Sequence, residues 1–152
     1  MTAQSNRMRG MCVMAYVASN EPLPTLPWNE QAPAFYVTAL FGPEEAVRKQ
    51  FTLPHVYYVG SGLGCGCHFI FESDQKKDLE QMAEATRDRS DLVKFLSAAL
   101  ANQQSVQLFT CQDGDQSNTP TKSRVVSPEF FESTEAFPSD DEVFSYVVQS
   151  PT

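Results

Sequence analysis

The sequence predicts a single α+β domain in which a mixed or largely antiparallel sheet is covered by one or two helices. Several short segments are rich in β-branched and aromatic residues and are bounded by glycine and proline, which is typical of strands. One long stretch among them shows apolar residues at helical spacing. The strands do not alternate regularly with crossover helices, so a doubly wound parallel sheet is disfavoured.

Length and charge limit the classes of function. The chain has 152 residues and a formal charge of -8, and four of its residues are cysteines. We expect a flexible N-terminal tail at 1–10 and one domain at 11–152. The acidic balance argues against nucleic-acid and anionic-membrane partners, and no apolar run approaches the roughly 20 residues that span a bilayer. So few cysteines indicate no disulfide framework, which predicts a soluble protein of the reducing cytoplasm.

The first half of the chain predicts three strands and a short helix. Residues 11–19 are almost continuously apolar, which indicates a strand buried on both faces. Residues 34–40 (AFYVTAL) and 55–60 (HVYYVG) are rich in strand formers. Between them, residues 42–45 (GPEE) favour a helix start, because proline suits the first turn and glutamates suit the positive end of the helix dipole. Pro54 ends this helix.

The second half predicts a hairpin, a long helical region and further strands. Residues 67–71 (CHFIF) are expected to form a fourth strand, joined to the third by a loop with glycine at every other position. A helical region is capped by Ser73 or Asp74 and reaches about Asn102, either as one helix or as two helices joined near Asp88. The remaining predicted elements are strands at 105–111, 123–127 and 143–149 and a helical turn at 127–131.

The segment 60–68 (GSGLGCGCH) is the most unusual part of the sequence. It brings Cys65, Cys67 and His68 within four residues, and thiolates and imidazoles are the preferred ligands of zinc. Cys12, at the end of a predicted strand, completes the predicted metal site. The other candidate ligands are Cys111 and His55. The alternative interpretation is that Cys67 is a small apolar core residue.

Two forms of thiol chemistry are alternatives to metal binding. The pair Cys65 and Cys67 is a candidate redox dithiol, or Cys67 a reactive thiolate in a loop rich in backbone N–H groups. In addition, residues 11–19 (MCVMAYVAS) resemble the start of the amidohydrolases with an N-terminal nucleophile. That resemblance implies a catalytic Cys12 with a free α-amine after removal of Met11.

A non-catalytic role is the remaining hypothesis. The segment 22–33, called the proline-rich arm below, carries four prolines and Trp28, and its prolines exclude a helix. Aromatic residues on extended segments often anchor protein partners. The arm is therefore a candidate surface for a protein partner or for a homo-oligomer.

The sequences of several segments resemble those of a known protein family. These segments are PHVYYVGSGLGCGCHF, MCVMAYVAS and PAFYV, and the resemblance covers about residues 11–110. The family is an uncharacterised bacterial protein family of unknown function. The resemblance implies a small bacterial protein and assigns no functional residue.

Overall fold

The structure, a computed structural model, describes residues 12–69, 78–133, 136 and 143–151. These residues form a six-stranded sheet and one α-helix, α1 (Leu79–Ala99). The strands are β1 (Val13–Ser19), β2 (Tyr36–Ala39), β3 (His55–Gly60), β4 (Ser105–Gln112), β5 (Lys122–Val126) and β6 (Phe144–Gln149). The predicted α+β class is confirmed, and all but one of the predicted strands form. The predicted tail at 1–10 lies outside the described residues.

The sheet has the strand order β2-β3-β1-β4-β6-β5. All neighbours are antiparallel except β5 and β6, which are parallel. The first strand therefore lies in the interior of the sheet, where Val17 is opposite Tyr57 on one side and Leu108 on the other. Burial of both faces explains the nearly continuous apolar character of β1.

The two faces of the sheet carry separate parts of the core. On β1, Ala15 and Val17 face helix α1, and Tyr16 and Ala18 belong to the opposite cluster. This alternation follows from the two-residue repeat of a strand. The residues of α1 that are buried in this first cluster are Leu92, Phe95, Leu96 and Ala99.

The opposite face is covered in part by a 3-10 helix at Gly42–Gln50. It begins at the predicted glycine–proline pair, and its Val47 is fully buried in the second cluster. The Tyr16 hydroxyl donates a hydrogen bond of 3.2 Å to the Glu44 carboxylate, which ties this helix to the sheet. The predicted short helix is thus confirmed, with 3-10 geometry.

Helix α1 is a single helix that begins after Asp78. The Asp78 side chain accepts from the Gln81 backbone, and the Gln81 side chain accepts from the Asp78 backbone, which forms a capping box. The helix passes through Asp88 without a break and continues as a 3-10 turn to Asn102, so the alternative of two helices is wrong. The predicted caps Ser73 and Asp74 lie outside the described residues.

The predicted strand at 67–71 is wrong for the residues described. Cys67–Phe69 form a short 3-10 helix, so β3 has no hairpin partner at this point. The Phe69 N–H donates to the Gly66 carbonyl at 3.0 Å, and its fully buried ring packs against Phe35 and the core under α1. Burial of one aromatic side chain therefore outweighed the strand preference of the segment. Ile70 and Phe71 lie outside the described residues.

The proline-rich arm runs beside β2. Leu26 and Val37 exchange two backbone hydrogen bonds of 2.9 Å each, and the Trp28 ring packs edge-on against Tyr36 with the centroids 4.9 Å apart. The arm therefore extends the sheet beyond β2 at one point, and Trp28 remains 39% exposed.

Candidate metal centre

Three cysteines come together where β1 begins and where the loop after β3 passes it. The sulfur atoms of Cys12, Cys65 and Cys67 all lie within 4.8 Å of one another, and the Cys65 and Cys67 sulfurs are 3.0 Å apart. Because β1 and β3 are antiparallel neighbours, the end of β3 lies beside the start of β1. The Gly66 N–H donates to the Val13 carbonyl at 2.7 Å and holds the loop against that strand.

Internal hydrogen bonds shape the loop that carries two of these cysteines. The Ser61 N–H and hydroxyl both donate to the Cys65 carbonyl, at 2.8 and 2.6 Å. Between them Gly64 has a φ of +89°, a conformation that favours glycine. The Tyr36 and Tyr58 hydroxyls donate to the Gly64 carbonyl at 2.7 and 3.0 Å. The loop is therefore held in one shape by residues of two strands.

Burial and the neighbouring Cys67 disfavour ionisation of two of the three thiols, those of Cys12 and Cys65, and raise their pKa values. The hydrogen bond to Cys67, followed by burial, raises the pKa of the Cys65 thiol well above its ordinary range. Burial, followed by the nearby charge of Cys67, raises the pKa of the Cys12 thiol. A divalent cation reverses this preference, because it stabilises the adjacent thiolates directly. The cluster is therefore suited to hold protons in the absence of a cation and to release them when one binds.

His68 is held by a buried carboxylate of helix α1. Its Nδ1 lies 2.7 Å from Oδ2 of Asp88, and the same oxygen accepts a 3.0 Å hydrogen bond from the Gly62 N–H. The Asp88 side chain is fully buried, and that of His68 is almost so. One carboxylate thus holds both ends of the segment 62–68 that contains the two cysteines. The sequence pattern by itself indicates only that two helices could join near Asp88.

The structure brings together three of the four predicted metal ligands. Among the described residues, the group of Cys12, Cys65 and Cys67 has no fourth histidine, cysteine or carboxylate as close as its members, and His68 is not part of it. The other candidates lie elsewhere. Cys111 is buried in the cluster beneath the 3-10 helix. His55 pairs with Ser19 at the far end of β1 from Cys12.

Two open clefts flank the 3-10 helix, with volumes of about 450 and 630 Å³. They share Met14, Phe41 and Glu44, and none of the three clustered cysteines lines either cleft. The Glu44 carboxylate in them already accepts from Tyr16. The cysteine cluster, where three donor atoms converge, is therefore the stronger candidate site.

No protein-family model matches the chain, and comparisons with curated proteins and with solved structures give no match. The resemblance to a bacterial family and the cytoplasmic location therefore stay predictions. In the part of the chain that the structure describes, no helix combines the length and apolar character required to cross a membrane.

Proposed function

We propose that this protein binds a thiophilic metal ion through Cys12, Cys65 and Cys67, and that zinc suits the site best. The observation that supports the proposal is the convergence of three sulfur atoms within 4.8 Å. Sulfur ligands in a tetrahedral zinc site lie about 3.8 Å from one another, because each Zn–S bond is about 2.3 Å long. Small side-chain rotations are therefore sufficient to reach bonding geometry.

The number of donors supports a site with one further position. Structural zinc sites use four protein ligands, whereas sites with three protein ligands keep one position for water or another molecule. The described residues supply three ligands to the cluster. We propose that the fourth position is taken by water or by an exogenous ligand. His68 and Asp88 do not bind the metal in this proposal, but their contact holds the segment 62–68 in place.

Metal binding accounts for the cluster better than nucleophilic catalysis does. A cysteine nucleophile that turns over substrate repeatedly at neutral pH usually has a lowered pKa, from a nearby cation or a helix N-terminus, because its thiolate must be available in every cycle. Here burial and neighbouring sulfur raise the pKa of both Cys12 and Cys65. The proposed role of Cys12 as an N-terminal nucleophile depends on Met11, which lies outside the described residues.

A partner-binding role for the proline-rich arm has weaker support. Trp28 packs on Tyr36 and Leu26 pairs with β2, so these residues already have a structural role in covering the sheet. The proposed metal site is therefore the function that the geometry favours.

Metal content and Co²⁺ spectroscopy test the proposal. Protein purified without chelator is expected to contain about one zinc per chain, and Co²⁺ substitution is expected to give thiolate-to-metal charge-transfer absorption. Serine at position 12, 65 or 67 is expected to weaken binding at least tenfold. The matched control is Cys111→Ala, which removes a thiol that lies outside the cluster.

The control also defines the contradicting result. If Cys111→Ala weakens binding as much as Cys65→Ser does, the metal is not held by the cluster. If neither zinc nor Co²⁺ binds the reduced wild-type protein at micromolar concentration, the proposed function is wrong.

A further inference from the structure

We infer that Cys65 and Cys67 are a redox-active dithiol that a hydroperoxide converts into a disulfide. The inference concerns a covalent modification of this chain, and the dithiol chemistry does not require a metal. Its regulatory consequence, the release of a bound metal, rests on the proposed function above. Dithiol oxidation and metal binding can therefore be contradicted by different experiments.

The inference is based on the positions of the Cys65 and Cys67 sulfur atoms. They lie 3.0 Å apart, which is closer than ordinary contact between sulfur atoms and needs only a small approach to reach a bond of about 2.05 Å. Both cysteines are partly exposed, so a small oxidant has access to them. The residue between them is Gly66, whose missing side chain lets the backbone lie against the Val13 carbonyl.

The loop is also built to keep this pair together. The carbonyl of Cys65 is fixed by Ser61, and the residue after Cys67 is fixed by Asp88. Cys12 comes from a different part of the chain, just before β1, and its sulfur lies within 4.8 Å of both others. We therefore expect the bond to form between Cys65 and Cys67, with Cys12 remaining as a thiol.

The oxidation proceeds in two balanced steps. One of the two sulfurs, as thiolate, attacks the terminal oxygen of the hydroperoxide, so an S–O bond forms, the O–O bond breaks, and the departing oxygen takes a proton to leave as water or an alcohol. The neighbouring sulfur then attacks this sulfenic acid, so the S–S bond forms, the S–O bond breaks, and water leaves with the second thiol proton. Overall, two thiols lose two electrons to one hydroperoxide.

Disulfide formation removes the metal site. A thiolate is the form of cysteine that binds a metal, and oxidation converts two of the three thiolates into sulfurs without charge. Cys12 alone does not hold the ion. In the reverse direction, a dithiol reductant restores the three thiols and the site.

The test oxidises metal-free full-length protein with hydrogen peroxide and maps the cross-link by mass spectrometry of the unreduced digest. We expect an intramolecular bond between Cys65 and Cys67 in the wild type and in Cys111→Ala. We expect Cys12→Ser still to form this bond, because Cys12 takes no part in it. Cys65→Ser and Cys67→Ser are expected to give none.

The outcomes separate this inference from the proposed function. A cross-link to Cys12, a bond between two chains, or four thiols that persist under peroxide would overturn the inference. If the bond forms but the reduced protein binds no zinc, the dithiol stands and the metal proposal fails. If zinc binds and slows peroxide oxidation about tenfold or more, and completed oxidation releases it, both are supported.

Discussion

Replacement of Asp88 by alanine is expected to lower the free energy of unfolding by about 2–6 kcal/mol. The carboxylate is fully buried and accepts from two groups, the Gly62 N–H at 3.0 Å and His68 Nδ1 at 2.7 Å. Each buried donor left without an acceptor costs about 1–3 kcal/mol. The expected loss is the sum of these two costs.

Asparagine at the same position provides a sharper comparison. Its amide oxygen can take the place of Oδ2 and accept both hydrogen bonds. Its NH₂ group then occupies the position of Oδ1, which has no hydrogen-bond partner among the described residues. We therefore expect Asp88→Asn to cost about 1 kcal/mol, less than Asp88→Ala. The control is Asp91→Ala on the same helix, a partly exposed position with an expected change within about 0.5 kcal/mol.

Chemical denaturation at pH 7 with a reductant measures the three variants. Equal losses of unfolding free energy for Asp88→Ala and Asp88→Asn would refute the reasoning, because only asparagine keeps a side-chain oxygen that can accept the two hydrogen bonds. So would an alanine variant as stable as the wild type. If the carboxylate also positions the loop, Asp88→Ala binds zinc more weakly than Asp91→Ala does.

Three further results follow from the structure. Gly60→Ala is expected to cost about 1–3 kcal/mol in thermal or chemical unfolding, because its new Cβ would overlap the Tyr36 ring, and a cost near zero contradicts this. Burial raises the pKa of Cys111 from 9.0 to about 12, so its contribution to stability is complete below pH 9 and is lost as the pH rises toward 12. Urea unfolding across this range is expected to show a steeper decline for the wild type than for Cys111→Ala, and parallel curves exclude the effect. Zinc affinity, measured against a competing chelator, is expected to rise as the pH increases from about 6 to 8. The reason is that the pKa values of Cys12 and Cys65 are raised, so that zinc must displace protons from these thiols. An affinity that does not change with pH contradicts thiolate ligation.

Local patterns in the sequence were enough to predict most of the fold. The strands β1, β3 and β6 are short runs of β-branched and aromatic residues, and the observed bounds differ from the expected ones by two residues at most. Residues 67–71 have a similar composition, but their described part, Cys67–Phe69, forms a 3-10 helix and not a strand. The difference arises from Phe69, which is buried under α1, and from the hydrogen bond between Gly66 and Val13. Such contacts join distant segments and leave no local signal.

The site was predicted in part for a similar reason. The spacing of Cys65 and Cys67 is visible in the sequence, and the position of Cys12 at the end of a predicted strand makes it a further candidate, whose sulfur lies within 4.8 Å of theirs. The role of His68 depended on Asp88, twenty residues away along the chain. A signal for Asp88 does exist, because it lies between Ala85 and Leu92 on the buried side of α1. A carboxylate on such a face requires a buried partner, whereas the break in the apolar pattern was interpreted as a helix boundary.

The two outer strands of the sheet differ in how they avoid aggregation. An outer strand presents unpaired backbone groups that can recruit another polypeptide into a fibril. On the β2 side, the arm occupies part of this edge through Leu26 and Val37. On the β5 side, Lys122 and Arg124 are exposed along the strand, so a second copy that aligned the same strand in register would bring like charges together. Removal of these two charges is therefore expected to make the protein more prone to self-association than removal of two charges from helix α1.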